Sequence, residues 1–341
     1  MNTPFCFQGS EKMKKVRMNS YAKINLSLDV KGQRSDGYHE VETFMQQIDF
    51  CDEVLVRWYS FDDRQKELKG KDISEEIDVE VSTNKPYLPK DERNLAYRAA
   101  RLMAEKFSEG HLGGKIRIDI KKRIPVAAGL AGGSANAASV ILALNKLWGL
   151  RLSVAKMMNL GLELGADVPF CIMGQARANL CLGGKINKDP MAANAAVGKG
   201  IGADLAPAKS VRGYVLLAKP PISISTKEVY QNIDAEIEKA AENGKKIHHA
   251  DAELIAAAIK EGNYGDLSVE MGNILELYTL KRYPEVAILR NEMANCYNPI
   301  KVMMSGSGPT LFALYTDYHI AYNAWEKVEA KNPATYLVET I

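Results

Sequence analysis

The stretch that decides the fold of this 341-residue chain has few large side chains and reads Ile124-Pro125-Val126-Ala127-Ala128-Gly129-Leu130-Ala131-Gly132-Gly133-Ser134-Ala135-Asn136. Before it, apolar and charged residues alternate from 115 to 120, which is typical of a half-buried strand. After it, apolar residues recur every three or four positions from 137 to 148, which is typical of a helix with one buried face. The stretch is therefore predicted to be the turn between a strand and the N-terminus of a helix.

A glycine-rich turn at a helix N-terminus is suited to binding a phosphate, because the first N–H groups and the helix dipole point at one spot. No Gly-Lys-Ser/Thr follows the glycines, so the turn is not a P-loop, and the Gly-x-Gly-x-x-Gly spacing of dinucleotide-binding proteins is absent. Taken alone, the turn is equally compatible with a purely structural role.

The overall composition excludes several classes of protein. The chain has 44 basic and 42 acidic residues and no sustained basic patch with interleaved aromatic residues, so no nucleic-acid partner is expected. No apolar run approaches the ~18 residues of a membrane span, so no membrane partner is expected, and the N-terminus has no secretory signal. The five cysteines include no Cys-x-x-Cys pair, which favours a reducing cytoplasm. Without a coiled-coil heptad, the chain is expected to be a monomer or a weak homodimer.

Two polar positions in apolar surroundings are candidate functional residues. Lys23 and Asn25 lie two residues apart on the polar face of a strand predicted over 21–30, where they line either a cleft or a plain solvent-facing edge. Asp167 follows glycine and alanine and precedes valine and proline, and a lone charge in such a setting either forms an ion pair or takes part in chemistry.

The remaining pattern is one of alternating helices and strands. Asn94 is expected to cap a helix over 94–107, and Ser153 a later helix. The segment 60–78 is interpreted as a surface excursion and 187–211 as an inserted loop. Further strands are predicted over 40–50, 53–58, 214–219, 301–304 and 311–315, and further helices over 228–241, 250–261 and 283–293.

Three segments together resemble the GHMP kinases. They are the strand 21–26, the glycine-rich stretch 125–136 and a second glycine-rich turn, Met304-Ser305-Gly306-Ser307-Gly308. Within that superfamily, the segments 22–26, 34–40 (Arg-Ser-Asp-Gly-Tyr-His-Glu) and 165–170 (Gly-Ala-Asp-Val-Pro-Phe) are similar to the 4-diphosphocytidyl-2-C-methyl-D-erythritol kinases of the non-mevalonate isoprenoid pathway. The resemblance runs from about residue 18 to about residue 316.

The resemblance implies an α+β fold of two domains. The N-terminal domain would resemble ribosomal protein S5 domain 2 and the C-terminal domain would be ferredoxin-like, with the site in the cleft between them. Expected boundaries are a loose tail over 1–17, the ATP-binding domain over 18–185, an inserted loop over 186–212 and the C-terminal domain over 213–341.

The resemblance also implies that ATP phosphorylates the C2 hydroxyl of 4-diphosphocytidyl-2-C-methyl-D-erythritol, with Mg²⁺ screening the phosphates. Asp167 would be the base that takes the hydroxyl proton, and Lys23 would keep its carboxylate ionised and help to hold the nucleophile. The residues expected to bind ATP are Asn94, Leu95, Pro125, Gly129, Leu130, Ala131, Gly132, Gly133 and Ser134. Those expected to bind a small molecule that carries a cytidine diphosphate are Asn25, Tyr38, His39, Thr226 and Tyr230.

The sequence departs from the family pattern in the glycine-rich stretch. Ala131 replaces a glycine and Ala135 replaces a second serine, which removes one possible contact to phosphate or magnesium, so the magnesium ligands stay unassigned. Two other interpretations remain: a related kinase of the homoserine or mevalonate type, and a catalytically silent relative that binds a nucleotide. The Asp-Gly-Tyr-His segment disfavours the first, and the presence of both Lys23 and Asp167 disfavours the second.

Overall fold

The computed structural model describes residues 12–60, 77–107 and 113–341, so most of the expected surface excursion lies outside the described residues. The strands are β1 Lys12–Gln33, β2 His39–Ser60, β3 Ile77–Thr83, β4 Gly114–Lys121, β5 Ala195–Lys199, β6 Asp204–Ala208, β7 Tyr214–Ala218, β8 Gly272–Asn273, β9 Lys301–Met304, β10 Leu311–Tyr315 and β11 Thr335–Glu339. The helices are α1 Leu95–Phe107, α2 Gly132–Trp148, α3 Val154–Leu162, α4 Val168–Ala178, α5 Gly184–Asn187, α6 Thr226–Glu242, α7 Ala252–Glu261, α8 Tyr264–Glu270, α9 Glu276–Arg282, α10 Pro284–Ala294 and α11 Tyr318–Glu329. No helix in the described ranges is long and apolar enough to cross a membrane.

The larger sheet is built around one long antiparallel pair. Strands β1 and β2 pair from one end to the other, and β2 is continuous where two strands were expected. Within the described residues the order is β3-β4-β2-β1-β8, with β4 and the β5–β6 hairpin pairing with different halves of β2. Helices α1 and α4 both pack on α2, and all three helices contact strands of this sheet.

The first strand begins earlier than the sequence indicated. The expected tail over 1–17 is wrong from Lys12 onward, because those residues pair with β2. Val16 and Met18 are buried while Lys15 and Arg17 between and beside them are exposed. The alternation is that of a strand, but the neighbouring lysines made it look like a polar tail.

The expected inserted loop over 186–212 is also wrong, since it contains the β5–β6 hairpin. Ala195, Ala196 and Val197 are buried and pair with β2. A run of small residues buried on both faces has no alternation, so its sequence carries little strand signal.

The C-terminal half has the topology of a ferredoxin-like domain. Its sheet has the order β11-β7-β10-β9 and all three pairings are antiparallel. In chain order this is a β-α-β-β-α-β arrangement with additional helices. The α+β, two-domain fold expected from the sequence is confirmed, and the site lies where the two halves meet.

Candidate active site

A cavity of about 630 Å³ lies between the two halves. It is bounded by β1, β2, the glycine-rich stretch, the turn before α4 and the start of α6. The sequence-predicted residues that line it are Lys23, Asn25, Asn94, Leu95, Pro125, Gly129, Leu130, Ala131, Gly132, Gly133, Ser134, Asp167, Thr226 and Tyr230. Tyr38 and His39 are the two predicted residues that are not part of this lining.

An ammonium and a carboxylate meet in this cavity. Lys23 Nζ lies 3.3 Å from Asp167 Oδ1 and donates to Asn25 Oδ1 at 2.7 Å. The lysine side chain is 5% exposed and that of the aspartate is 46% exposed. Asn25 Nδ2 in turn donates to Thr43 Oγ1 at 2.8 Å, which fixes the amide so that its oxygen faces the lysine. The pair therefore has one rigid, buried member and one member open to a ligand.

The carboxylate of Asp167 faces the cavity because its own helix does not use it. Asp167 occupies the N-cap of α4 with a helical backbone, and its side chain makes no capping hydrogen bond. The backbone turn is closed instead by Val168 N–H, which donates to Gly165 O at 3.1 Å.

The two glycine-rich turns contact each other at the cavity wall. Gly129 has φ 73°, and a Cβ there would overlap the carbonyl oxygen of Ser305. Ser305 Oγ donates to Gly129 O at 3.0 Å. Gly306, with φ 56°, packs against the same peptide. Only glycine fits at Gly129, because both its backbone angle and its neighbour exclude a side chain.

The N-terminus of α2 fits a phosphate chain. The helix begins at Gly132, so Gly132, Gly133 and Ser134 form its first turn rather than a loop, and their N–H groups have no partner within the helix. Gly133 is exposed, and the nearest atom to a Cβ there would be Leu95 Cδ1 at 3.6 Å. Gly132, Gly133 and Ser134 all line the cavity, and the free N–H groups and helix dipole at such a turn form an environment suited to a phosphate.

The cavity also contains side-chain oxygen atoms of the kind that Mg²⁺ prefers. Ser134 and Asp167 line the same cavity, and Mg²⁺ in phosphoryl-transfer sites is held by one or two such groups together with substrate phosphates and water. Among the described residues no cluster of three or more His, Cys, Asp or Glu forms a metal cage. The residues fit a metal that arrives with the nucleotide.

Asn94 and Leu95 form the wall beyond the glycine turn. Asn94 Oδ1 accepts from Ala96 N at 2.9 Å, which confirms its capping role, and its Nδ2 donates to Pro89 O at 2.8 Å. The side chain therefore fixes the loop before α1, and Leu95 presents an apolar surface to the cavity.

Tyr230 gives the cavity an aromatic wall, and the ring of His39 lies beside it but outside the lining. The rings of His39 and Tyr230 are 5.3 Å apart, and His39 Nε2 lies 2.9 Å from Asp234 Oδ2. Burial, with a smaller contribution from Asp167, raises the pKa of the Tyr230 phenol. Thr226 Oγ1 forms a hydrogen bond of 2.7 Å with Ser307 Oγ. Tyr38 is 63% exposed in the turn before β2 and stands away from this group.

Sequence reasoning missed a buried network beneath the glycine turn. Asp52 Oδ1 accepts from the backbone N–H groups of Arg123 at 2.7 Å and Ile124 at 2.9 Å. Its Oδ2 contacts Lys122 Nζ and accepts from Asn136 Nδ2 at 2.9 Å. Asp52 thus holds both ends of the turn. The position of Lys122 just before the turn was a usable signal, whereas nothing in the local sequence of Asp52 indicated this role.

Other residues of the site were also missed. Thr43 and Lys122 line the cavity, and Asn273 Nδ2 donates to Met304 O and Gly306 O, both at 2.8 Å. Asn273 follows no motif, and its contact depends on the pairing of β8 with β1.

Comparison with known proteins agrees with this architecture. The family models described as GHMP kinases N terminal domain and GHMP kinases C terminal match residues 94–175 and 255–334. The chain is 40% identical over 329 residues to a protein of Alkaliphilus metalliredigens (strain QYMF) named 4-diphosphocytidyl-2-C-methyl-D-erythritol kinase, and the match covers 96% of this chain and 97% of the relative. A relative of the same name from Clostridium botulinum (strain Alaska E43 / Type E3) is 38% identical, with 95% of this chain and 99% of the relative covered.

Solved structures give the same result. A crystal structure of 4-(cytidine 5'-diphospho)-2C-methyl-D-erythritol kinase superposes with a TM-score of 0.69 at 27% identity, covering 95% of this chain and 99% of that one. Homoserine kinase from Cytophaga hutchinsonii, at 16% identity, a TM-score of 0.64 and coverage of 99% and 97%, shares the fold. The chain therefore belongs to the 4-diphosphocytidyl-2-C-methyl-D-erythritol kinase family of the GHMP kinases.

Proposed function

We propose that this protein transfers the γ-phosphoryl group of ATP to the C2 hydroxyl of 4-diphosphocytidyl-2-C-methyl-D-erythritol. The observation that carries the proposal is the 3.3 Å approach of Lys23 Nζ to Asp167 Oδ1 beside the N-terminus of α2. Phosphoryl transfer needs an acceptor hydroxyl, a group that accepts its proton and positive charge around the phosphates. The cavity supplies a proton acceptor and positive charge, and it has space beside them for the acceptor hydroxyl.

Asp167 would accept the proton of the hydroxyl. Its carboxylate is open to the cavity and lies 3.3 Å from the Lys23 ammonium, where a proton acceptor would stand beside the hydroxyl. Lys23 would also orient the hydroxyl oxygen, and the hydrogen bond from Lys23 to Asn25 fixes where the ammonium stands. Asn25 would contact the methylerythritol part of the substrate.

The ATP phosphates would lie on the N–H groups of Gly132, Gly133 and Ser134, with the adenosine toward Asn94 and Leu95. Pro125, Gly129, Leu130 and Ala131 would shape the rest of this wall. Mg²⁺, when bound with the phosphates, neutralises the charge that develops during transfer.

The cytidine would lie at the aromatic wall. The Tyr230 ring would offer the base a stacking surface, and stacking of a base on an aromatic side chain contributes about 1–3 kcal/mol. His39, whose ring centroid lies 5.3 Å from that of Tyr230, would contact the edge of the base. Thr226 would contact the substrate next to them. Tyr38, now 63% exposed, would have to turn toward the base to take part in stacking.

An assay of ADP release with three acceptors tests the function. We expect turnover with the cytidine substrate and none with homoserine or mevalonate, because the short alcohols leave the aromatic wall empty. Turnover of a short alcohol alone would support the related kinases instead, and no ADP release with any acceptor would support a silent relative.

Asp167→Asn tests the assigned base. We expect kcat to fall by several orders of magnitude, as the removal of a general base usually costs about 10²–10⁴-fold, while equilibrium binding of the nucleotide persists. The matched control is Asp204→Asn, an exposed aspartate in β6 outside the cavity, which should leave kcat unchanged. Normal turnover by Asp167→Asn would show that another group takes the proton.

The protein is also proposed to be cytoplasmic and to be a monomer or a weak homodimer. Cys51, Cys171, Cys181 and Cys296 are free thiols, as in proteins of reducing compartments.

A further inference from the structure

A second cavity, of about 700 Å³, lies in the C-terminal half beside β9. We call it the rear cavity. It is bounded by α6, the segment 245–248, β8, α9 and Met303 of β9, and none of the sequence-predicted site residues lines it.

The rear cavity has an excess of positive charge. Its charged lining consists of two carboxylates, Glu236 and Glu276, and five basic side chains, Lys239, Lys245, Lys281, Arg290 and Lys301. With His248 uncharged, the lining carries three more positive than negative charges.

The two carboxylates are already engaged. Glu236 lies 2.7 Å from Lys281 and 3.5 Å from Lys239. Glu276 lies 3.2 Å from Arg290 Nε and accepts from Met304 N at 2.6 Å. They cannot also neutralise the remaining cations.

Lys301 carries a charge with poor local compensation. Its Nζ donates to the neutral carbonyl oxygen of Ser268 at 2.9 Å. Burial lowers the pKa of Lys301 and Arg290 lowers it further, and the nearby Glu276 offsets this only in part. An anion in the cavity would stabilise its ammonium, because a half-buried cation gains more from an opposite charge than an exposed one does.

The same cavity has an apolar side. Ile247, Leu277 and Leu280 line it and are only half-buried, with Met271 and Met303 buried beneath. Apolar surface of this kind gains from contact with a hydrocarbon group.

We propose that the rear cavity binds a small amphiphilic phosphate ester, with a diphosphate head on the basic side and a short alkyl tail on the apolar side. A diphosphate monoester carries about three negative charges near neutral pH, which matches the excess of three positive charges. The volume is in the usual range of about 300–1,000 Å³ for sites of small ligands.

Binding there is coupled to the active site through Asn273. Asn273 lines the rear cavity, and its amide donates to Met304 O and Gly306 O, both at 2.8 Å. Gly306 lines the other cavity and packs against Gly129. A ligand that moves Asn273 therefore changes the affinity of the glycine turn for nucleotide, and nucleotide changes the affinity for the ligand by the same factor.

Calorimetric titration of the full chain with n-pentyl diphosphate tests the proposal independently of kinase activity. A saturating non-hydrolysable ATP analogue with Mg²⁺ occupies the glycine turn, so that the probe reports the rear cavity. We expect wild type to bind one equivalent, Lys245→Gln to bind more weakly, and Lys245→Gln/Lys301→Gln to bind at least tenfold more weakly. The control Lys260→Gln, an exposed lysine of α7 outside the cavity, should bind as wild type does.

Two further titrations separate head from tail. Inorganic diphosphate and n-pentanol should each bind at least tenfold more weakly than the ester, and the ester should shift the KM for ATP of wild type but not of the double variant. The proposal is overturned by absence of binding to wild type, by equal affinity of wild type and Lys245→Gln, or by inorganic diphosphate binding as tightly as the ester.

Discussion

At the scale of single residues, Ala131 adopts a backbone conformation that suits glycine better. It is the N-cap of α2 with φ 55° and ψ 27°, in the left-handed region. The alanine carries a steric cost in this conformation because its Cβ approaches the following carbonyl oxygen.

Ala131→Gly is expected to stabilise the protein by about 0.5–1 kcal/mol. The substitution relieves the backbone strain, and part of this gain is lost because glycine increases the conformational entropy of the unfolded chain. Urea unfolding measures the change. The control is Ala135→Gly, in the helical backbone of the same α2, which should lose about 1–2 kcal/mol because the substitution lowers helix propensity and removes a buried methyl group. Equal losses in both variants would contradict the assigned strain.

How much of the site was visible in the sequence depends on the residue. The meeting of Lys23 and Asp167, 3.3 Å apart, was expected only through the family resemblance, because positions so distant in sequence have no local pattern in common. Asp52 could not have been found in this way. Its role comes from folding, which brings it to two backbone N–H groups and two side chains far along the chain.

At the scale of elements, the buried pair of Asp52 and Lys122 joins β2 to the start of the glycine-rich stretch. Asp52→Asn is expected to cost about 3–5 kcal/mol of unfolding free energy, because it leaves the Lys122 ammonium buried without its counter-charge. The double variant Asp52→Asn/Lys122→Met should recover part of this loss, since no unpaired charge then remains. Denaturant unfolding of both variants measures the difference.

The control for this pair is Asp119→Asn on the adjacent β4. Asp119 contacts Arg57 at the surface, with both side chains partly exposed, so its loss should cost under about 1 kcal/mol. A double variant no more stable than Asp52→Asn would show that Asp52 acts through its backbone contacts to Arg123 and Ile124 rather than through the lysine.

Helices α6 and α9 are joined by a carboxylate that titrates. Glu228 Oε1 accepts from the hydroxyls of Tyr278 and Tyr283, each at 2.8 Å, and these hydrogen bonds lower the pKa of Glu228 below 4.5. A carboxylate with a depressed pKa stabilises the fold above its ordinary pKa, and this contribution disappears as the pH falls through the folded value.

Tyr278→Phe/Tyr283→Phe should therefore be less stable than wild type near pH 7, with a difference that shrinks as the pH falls below 4.5. Urea unfolding over this range measures the trend. Tyr264→Phe is the control, because the Tyr264 hydroxyl donates to the carbonyl oxygen of Arg212 at 3.0 Å, which does not titrate. A difference independent of pH in the double variant would mean that Glu228 does not respond to these hydroxyls.

The bounds of some strands could be predicted from their sequences, and those of others could not. Strands β9 and β10 have the predicted bounds, because each is a short apolar run that ends at the glycine-rich turn between them. The hairpin β5–β6 was missed because Ala195 and Ala196 favour no strand pattern and become a strand only by pairing with β2. Tertiary contact decided that element, as it often does for small residues.

At the scale of the whole molecule, the two halves share one apolar core. A single cluster of buried residues contains Ile24 and Leu26 of β1, Leu130 of the glycine-rich stretch, and Leu217 and Phe312 of the C-terminal sheet. Separating the halves would expose both sides of this cluster to water.

The halves are therefore expected to unfold together. The chain has three tryptophans, with Trp58 and Trp148 in contact in the N-terminal half and Trp325 in α11 of the C-terminal half. In Trp325→Phe, fluorescence reports the N-terminal half alone, and in Trp58→Phe/Trp148→Phe it reports the C-terminal half. Each fluorescence transition should coincide with the far-UV circular dichroism of the same variant, whereas two separated transitions would contradict a shared core.

The hydrogen bond from Ser305 to Gly129 affects how inhibitors of this protein would be found by melting-temperature screening. The two glycine-rich turns are joined by this hydrogen bond, so a compound that binds either turn also stabilises the other. Its binding free energy therefore raises the melting temperature of the entire chain by mass action. A raised melting temperature would thus detect compounds at any position in the cleft but would not distinguish those that displace nucleotide from those that displace the alcohol.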